Sequence, residues 1–409
     1  MPRPLRIAVV GGPMYDRFVD QRLPVYTAAS GRRVEIGARL VHPELNAHLA
    51  AAYADGRGPY DLVTSHTKYA PSQAAWLRPL DDLLPTGALD DFEPAAVELA
   101  RVGGRLLGVP RNIDCRLLHY RSDLFADRAA GERYRARFGE ELVPPATWES
   151  VGRVARHFAR PPDRFGFAFP GRESGLWGTF FELLAAAGGE MFGPDLSPAF
   201  VTPAGRWALG FLRDLQTTWR VTPPGTPDWR FDEVSAAFDQ GLVAMIADWP
   251  ATYAGHVTSA VGERFDLVPY PAGPAGRRVY AGGFTWAIPR AARDAAASLD
   301  LLLFLTDAAS QRWEGELGTV VPRRSVRRAL RATAGPGSRA ARRLDLLEET
   351  ITSSLLVPPR FAAYPAVEAA LWPALRRGVT GETEVEEALT EAAARMAAVL
   401  RAEGGGGPS

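Results

Sequence analysis

The chain has 409 residues, 47 basic and 47 acidic groups, and a single cysteine. Balanced charge gives no overall pull toward nucleic acid or an anionic membrane, and one thiol allows neither an internal disulfide nor a cysteine-pair zinc site. The longest aliphatic stretch, Leu299 to Leu305, is broken by Asp300 and falls far short of the roughly 20 apolar residues of a membrane span.

With 46% hydrophobic and 23% charged residues the chain is composed like an ordinary globular protein, and its length suggests about two or three domains at roughly 150 residues each. Of the 47 bases, Lys68 is the one lysine and the other 46 are arginine. The abundance of Ala, Gly and Pro beside them fits a GC-rich coding bias better than selection for anion-gripping guanidinium groups, so each arginine has to be argued singly.

Ile7 to Val10 is an apolar run that ends at Gly11-Gly12. It reads as a buried strand and a turn, not as the apolar core of a secretory signal, which needs about 7–15 residues. The expectation is a cytoplasmic protein or one whose export signal lies outside this stretch. Helix and strand then alternate: strand 5–10, helix 14–29 closed by Gly31, strand 34–40, helix 43–55 and strand 60–64. Alternation of this kind predicts a parallel sheet covered by helices. A short amphipathic element at 76–84 precedes a hairpin turning at Gly103-Gly104.

A second region starts with a strand at 117–121. Thr147 is placed to cap a helix from Trp148 to Phe158, a strand is expected at 164–169, and a largely apolar helix at 174–187 ends in Gly188-Gly189. Helices at 203–218 and 232–240, strands at 243–247 and 265–268, a Gly/Pro linker at 269–278, a strand at 284–288 and a helix at 291–306 follow. Residues 322–330 cross into C-terminal helices, and 403–409 read as a flexible glycine-rich tail. No repeat of fixed period occurs.

Several segments in order carry a family resemblance. They are Gly104-Arg-Leu-Leu-Gly-Val-Pro110, Asp114-Cys-Arg-Leu-Leu-His-Tyr120, Asp123-Leu-Phe125 and Pro144-Pro145-Ala-Thr-Trp148-Glu149. Further along come Phe238-Asp-Gln-Gly241, Asp248-Trp249-Pro250, Gly282-Gly283-Phe284, Phe304-Leu-Thr-Asp307 and Glu387-Ala388-Leu389. From about Leu5 to Leu400 the chain resembles the extracellular solute-binding proteins of ABC importers, in the cluster that includes sugar- and maltodextrin-binding proteins. It departs from them in lacking a signal and a lipid-bearing cysteine, in an insertion at 129–141 that lengthens a loop, and in Arg111 and Arg360 near cleft positions where neutral groups are common.

The resemblance implies a two-lobed α/β fold with a ligand closed between the lobes. One lobe would comprise residues 1–109 and 280–318 and the other 117–269 and 326–402, with crossovers at 110–116, 270–279 and 319–325. It also implies an extracytoplasmic location, a small carbohydrate ligand, permease subunits as partners, a monomer, and no cofactor or nucleic acid.

Ligands of open α/β sheets sit outside the carboxyl ends of strands, which directs attention to Tyr15, His66, Arg111, Asp114, Asp248, Trp249, Gly283 and Phe284. A sugar offers an apolar face to an aromatic plate and a rim of hydroxyls to fixed donors and acceptors. Trp249 and Trp177 suit the plates, though either could equally pack in a core. Asp114 and Asp248 suit the hydroxyl acceptors, and Glu173, Tyr364 and Arg360 are weaker candidates. Two arginines in the cleft would instead favour a phosphate, sulfonate or carboxylate.

Enzymatic patterns are weak. Gly11-Gly12-Pro13 lacks the dinucleotide spacing, and Gly171 to Gly175 lacks that of a nucleophile elbow. Cys115 and His119 would stand some 13 Å apart along a strand at about 3.3 Å per residue. A glycoside hydrolase using Asp114 and Asp248 is the remaining enzymatic alternative.

Overall fold

The computed structural model describes residues 3–12 and 15–403. Pro13 and Met14, where the first helix was expected to begin, and most of the expected tail lie outside the described residues. In chain order the main elements are β1 (Leu5–Val10), α1 (Asp16–Ser30), β2 (Val34–Leu40), α2 (His42–Ala52) and β3 (Leu62–His66). They continue with β4 (Val109–Pro110), β5 (Leu117–Arg121), α3 (Arg128–Phe138), α4 (Trp148–Phe158), α5 (Glu173–Ala186) and α6 (Phe231–Asp239). After β6 (Met245–Asp248), β7 (Phe265–Val268) and β8 (Phe284–Ala287) come α7 (Ala295–Leu305), α8 (Tyr364–Thr380) and α9 (Val385–Ala402).

Two sheets organise the molecule. The first has the order β2-β1-β3-β8-β4, with β1 parallel to both β2 and β3 and β8 antiparallel to its neighbours. Side chains alternate across a strand, and here both faces are covered. Leu5, Ile7 and Val9 of β1 pack with Phe18 and Val19 of α1 and Leu301 and Leu302 of α7. Ala8 and Val10 face Leu45 and Leu49 of α2. A strand buried on both sides must read as a nearly unbroken apolar run, which is why residues 5–10 do.

The second sheet has the order β6-β5-β7, antiparallel throughout. Around it α4, α5 and α8 pack into a separate, larger core. Thr147 caps α4 by accepting from the Ser150 N–H at 3.2 Å, and Ser150 returns the bond to the Thr147 N–H at 3.0 Å. Helix α5 is buried on nearly every side, as a helix apolar all round has to be. The result is a two-lobed α/β fold. Where the chain passes between the sheets, the crossovers bond to one another: the Asp114 N–H donates to Gly282 O at 2.9 Å, and the Ile113 N–H to Val320 O at 2.8 Å.

Three local expectations are corrected. Residues 129–141 are not an elongated loop, because α3 forms there, capped by Asp127 and closed by Gly139 at φ 76°. Its Ala/Arg/Glu content favours helix, and Ala130 and Tyr134, one turn apart, bury its inner face. Residues 164–169 form no strand but make two isolated bridges, Ala168 to Ile246 of the second sheet and Phe165 to Val243 just before it. Gly166 there abuts the α4 backbone, with a Cβ's place only 2.0 Å from Ala155 O, so tight packing on a helix replaces a ladder. The 269–278 linker is itself folded, as a two-residue-per-strand hairpin pairing Ala272 with Arg277.

Candidate functional site

Between the lobes lies a cavity of about 190 Å³. The first lobe lines it from the carboxyl ends of β1 and β3: Val10-Gly11-Gly12, Tyr15, His66 and Lys68, joined by His42 at the start of α2 and Phe284 at the start of β8. These rings form one cluster. Tyr15 meets Phe284 edge-on at 5.1 Å, and His66 lies 4.4 Å from His42 and 5.0 Å from Phe284 between centroids. Enclosure holds both imidazoles well below the usual histidine pKa, and for His66 the Lys68 ammonium pushes the same way. Both are therefore neutral near pH 7. His66 Nδ1 accepts from the Lys68 N–H at 3.2 Å, which leaves the proton on Nε2.

The second lobe supplies Trp249 after β6, Arg172-Glu173-Ser174 at the start of α5 and Arg230 to Glu233 at the start of α6, and the chain at the crossovers adds Arg116 before β5 and Tyr280. Trp249 stands edge-to-face with Phe231 at 5.2 Å. The Arg116 guanidinium lies 5.3 Å from the Trp249 ring and 5.6 Å from Phe231, beneath both. Asp114 is the floor, 7% exposed. Its Oδ1 accepts from Asn112 Nδ2 at 2.7 Å. Burial pushes this carboxyl up to about 7, with Arg111 opposing and Glu314 adding to the shift.

The basic groups of the cavity are already paired. Arg116 bonds Glu182 directly. Glu182 also accepts from the Tyr270 hydroxyl at 2.6 Å and from the Tyr280 N–H at 2.7 Å. Arg172 and Arg230 share Glu173 at 2.6 and 2.8 Å, and Lys68 Nζ bonds Glu368 Oε1 at 2.7 Å. Glu173 adopts φ 52°, a left-handed conformation that costs a non-glycine residue of the order of 1–3 kcal/mol and here falls on the cavity wall.

Tyr15, His66, Asp114, Glu173, Trp249 and Phe284, all singled out from the sequence, line the cavity. Six others do not, each for a visible reason. Trp177 is fully buried in α5, its indole N–H donating to the Tyr364 hydroxyl at 2.8 Å, which takes Tyr364 into the core with it. Arg111 bonds Glu314 at 2.7 Å beneath the first sheet and lies over the rings of Tyr15, Phe18 and Trp286. Asp248 turns away to accept from Ser235 at 2.5 Å, from His256 at 3.1 Å and from the Trp249 N–H at 2.7 Å. It thereby fixes the Trp249 backbone from outside the cavity.

Arg360 donates to the carbonyls of Leu99 and Arg101 at 2.9 and 2.7 Å, fastening two chain segments. Gly283 packs against backbone, where a Cβ would meet Asn112 O at 2.3 Å. Reasoning from the sequence missed His42, Arg116, Arg172, Arg230, Phe231, Asp232 and Tyr280, and the signal for Arg230 to Asp232 was a helix start.

The enzymatic patterns gain little from the geometry. Cys115 is fully buried, and burial pushes its thiol up to about 12. No cluster of three or more His, Cys, Asp or Glu able to hold a metal occurs among the described residues.

Solved structures share this architecture. A maltose-bound protein of T. maritima superposes with a TM-score of 0.85 at 23% identity, covering 97% of this chain and 100% of the other. A solute-binding protein of Agrobacterium vitis S4 with bound D-mannitol gives 0.81 at 21%, covering 98% and 99%. Among curated relatives, a mannitol-binding protein of Pseudomonas aeruginosa is 29% identical over 314 residues, 73% of this chain and 65% of that one, so the match spans less than two thirds of the relative's own length. Residues 43–312 match the family described as bacterial extracellular solute-binding protein, and with two lobes, hydrogen-bonded crossovers and a cavity between them the chain belongs to that family.

Proposed function

We propose that the chain is the solute-binding component of an ABC importer, capturing one polyol or single sugar unit between its lobes and presenting it to a membrane permease. One observation carries the reading: a cavity of about 190 Å³ has Phe284 and Tyr15 on one wall, Trp249 and Phe231 on the other, and the Asp114 carboxyl between them. Rings facing each other across a small space match the C–H surface of a polyol or sugar, and Asp114, with Oδ1 bonded to Asn112, offers Oδ2 to hydroxyls. The small size of the cavity favours a single polyol or sugar unit over a longer chain.

The bound D-mannitol of the Agrobacterium protein and the name of the Pseudomonas relative support a polyol in particular. An anionic ligand is not favoured, because Arg116, Arg172, Arg230 and Lys68 already hold carboxylates. On this reading the lobes are residues 1–109 with 280–318 and 117–269 with 326–402. They rotate about 110–116, 270–279 and 319–325, and the monomer works outside the cytoplasm without bond chemistry.

A thermal-shift screen of D-mannitol, D-sorbitol, ribitol, D-glucose, D-tagatose, maltose and hexose phosphates tests it. A true ligand at 100 times its Kd adds about 2.7 kcal/mol of stability. The reading fails if none of the neutral compounds moves the midpoint, or if the phosphates alone do so.

A further inference from the structure

Lys68 is the one lysine in a chain with 46 arginines. A bias that has placed arginine at every other basic position leaves lysine where a guanidinium does not serve. The site explains why. Lys68 follows β3 on the first lobe, its side chain is 5% exposed, and its Nζ bonds Glu368 Oε1 at 2.7 Å. Glu368 belongs to α8 of the second lobe and is likewise 5% exposed. Its other oxygen accepts from the Tyr69 hydroxyl at 2.6 Å. Both partners of this buried carboxylate among the described residues therefore come from the opposite lobe.

Lys68 also lines the cleft cavity, and its ammonium stands 4.8 Å from the Tyr69 ring centroid. An ammonium carries three rotatable donors, and Glu368 takes one. A guanidinium is longer and holds its donors in a rigid planar fork, whereas the compact ammonium can turn its remaining donors toward the cavity from this same point.

We propose that Lys68 couples ligand capture to lobe closure: one N–H holds Glu368 of the second lobe while the others donate to a hydroxyl of the bound polyol or sugar. This rests on the carbohydrate reading above. Separation of the lobes removes both Lys68 and Tyr69 from Glu368, exposing a carboxylate and an amine that water must then solvate. Ligand adds an acceptor for the ammonium only in the closed arrangement, so binding and closure share one group. Burial, partly offset by Glu368, lowers the Lys68 pKa, in keeping with an ammonium that depends on its acceptors.

Being unique, Lys68 can be read by amine chemistry without mutation. Reductive methylation with formaldehyde and cyanoborohydride, quantified at the Lys68 peptide, is run with and without whichever of D-mannitol, D-sorbitol, ribitol, D-glucose, D-tagatose and maltose gives the largest thermal shift. The expected result is at least ten-fold slower labelling with that compound. In titration calorimetry with the same compound, Lys68→Met and Glu368→Gln should each weaken binding ten-fold or more, and the double variant should be little worse than either single one.

Unchanged labelling in parent protein that demonstrably binds overturns the proposal, as does parent-like affinity in both variants. If Lys68→Met does not fold, the labelling result on the parent and the Glu368→Gln affinity decide. Failure of the parent to bind any compound in the set overturns the carbohydrate reading and this inference together, whereas parent binding without Lys68 dependence overturns the inference alone.

Discussion

The two walls of the cleft solve the same problem by different means. Each must present polar groups to a small enclosed space without leaving a charge uncompensated. Apart from Lys68, whose ammonium is paired with Glu368 of the opposite lobe, the first lobe does so with groups that are neutral: Tyr15, Phe284, and two histidines whose charged forms are disfavoured by enclosure. The second lobe uses full charges and pairs them internally, Arg116 with Glu182 and Glu173 with both Arg172 and Arg230. Breaking one member of a buried ion pair strands the other, whereas a neutral wall loses only packing and a hydrogen bond when altered. The second wall should thus be the more fragile in stability, and mutations can separate that fragility from binding.

The largest effect is expected at the foundation of the charged wall. Arg116→Met leaves Glu182 buried without its cation, and losing one partner of such a pair costs about 3–5 kcal/mol. Denaturant unfolding of the ligand-free variant measures it, and a loss under about 1 kcal/mol would mean that Tyr270 and the Tyr280 N–H suffice for Glu182.

Next come two tryptophans of the same lobe with opposite assignments. Trp177→Ala opens a hole in a fully buried position and should cost about 3–5 kcal/mol of stability. Trp249→Ala removes a partly exposed ring at the cavity and should instead weaken polyol or sugar binding by about 2–4 kcal/mol with a smaller change in midpoint. Measuring both quantities for both variants sharpens the contrast, and a collapsed midpoint for Trp249→Ala would move that residue into the scaffold.

Asp114, between the walls, comes third. Asp114→Asn keeps the shape and should weaken binding by about 1.5–3 kcal/mol, the worth of a hydrogen bond to a charged group. Its pH behaviour has a definite sign. The folded carboxyl titrates at about 7 against 3.8 when unperturbed. Between those values the folded protein holds a proton that the unfolded chain has released, so the stability Asp114 contributes is complete below about 4 and is lost as pH rises through about 7. Asp114→Asn should flatten that part of the stability–pH curve. Affinity that depends on the carboxylate should rise over the same interval in the parent and stay level in the variant.

The smallest effect is expected at the mouth, where Arg230 reaches Glu44 across the cleft at 3.5 Å with both side chains well exposed. Solvent screens such pairs, and Glu44→Gln should alter stability by about 0.2–1 kcal/mol at most. A larger loss, abolished by salt, would show that the rim contributes to closure as well as the interior.

What the sequence determined by itself was local and periodic. The apolar run of β1, the Thr147 cap and the Gly103-Gly104 turn follow from backbone chemistry within a few residues. Repeated strand and helix then implied two covered sheets, and the ordered motifs implied two lobes. The position of Trp249 just beyond a strand end pointed to the cleft by the same logic. That logic could not separate Trp249 from Trp177, because only packing decides which ring faces the space between the lobes.

Nor could it separate Arg111 from Arg116, five residues apart on one crossover. The first meets Glu314, 203 residues away, and the second Glu182, 66 residues away. Lys68 and Glu368 are 300 apart. A short window of sequence records whether a side chain is polar and which face of its element it occupies. Which opposite charge arrives beside it is decided by how the two lobes fold back on each other, since burying an ion is tolerable only where the tertiary structure brings its partner.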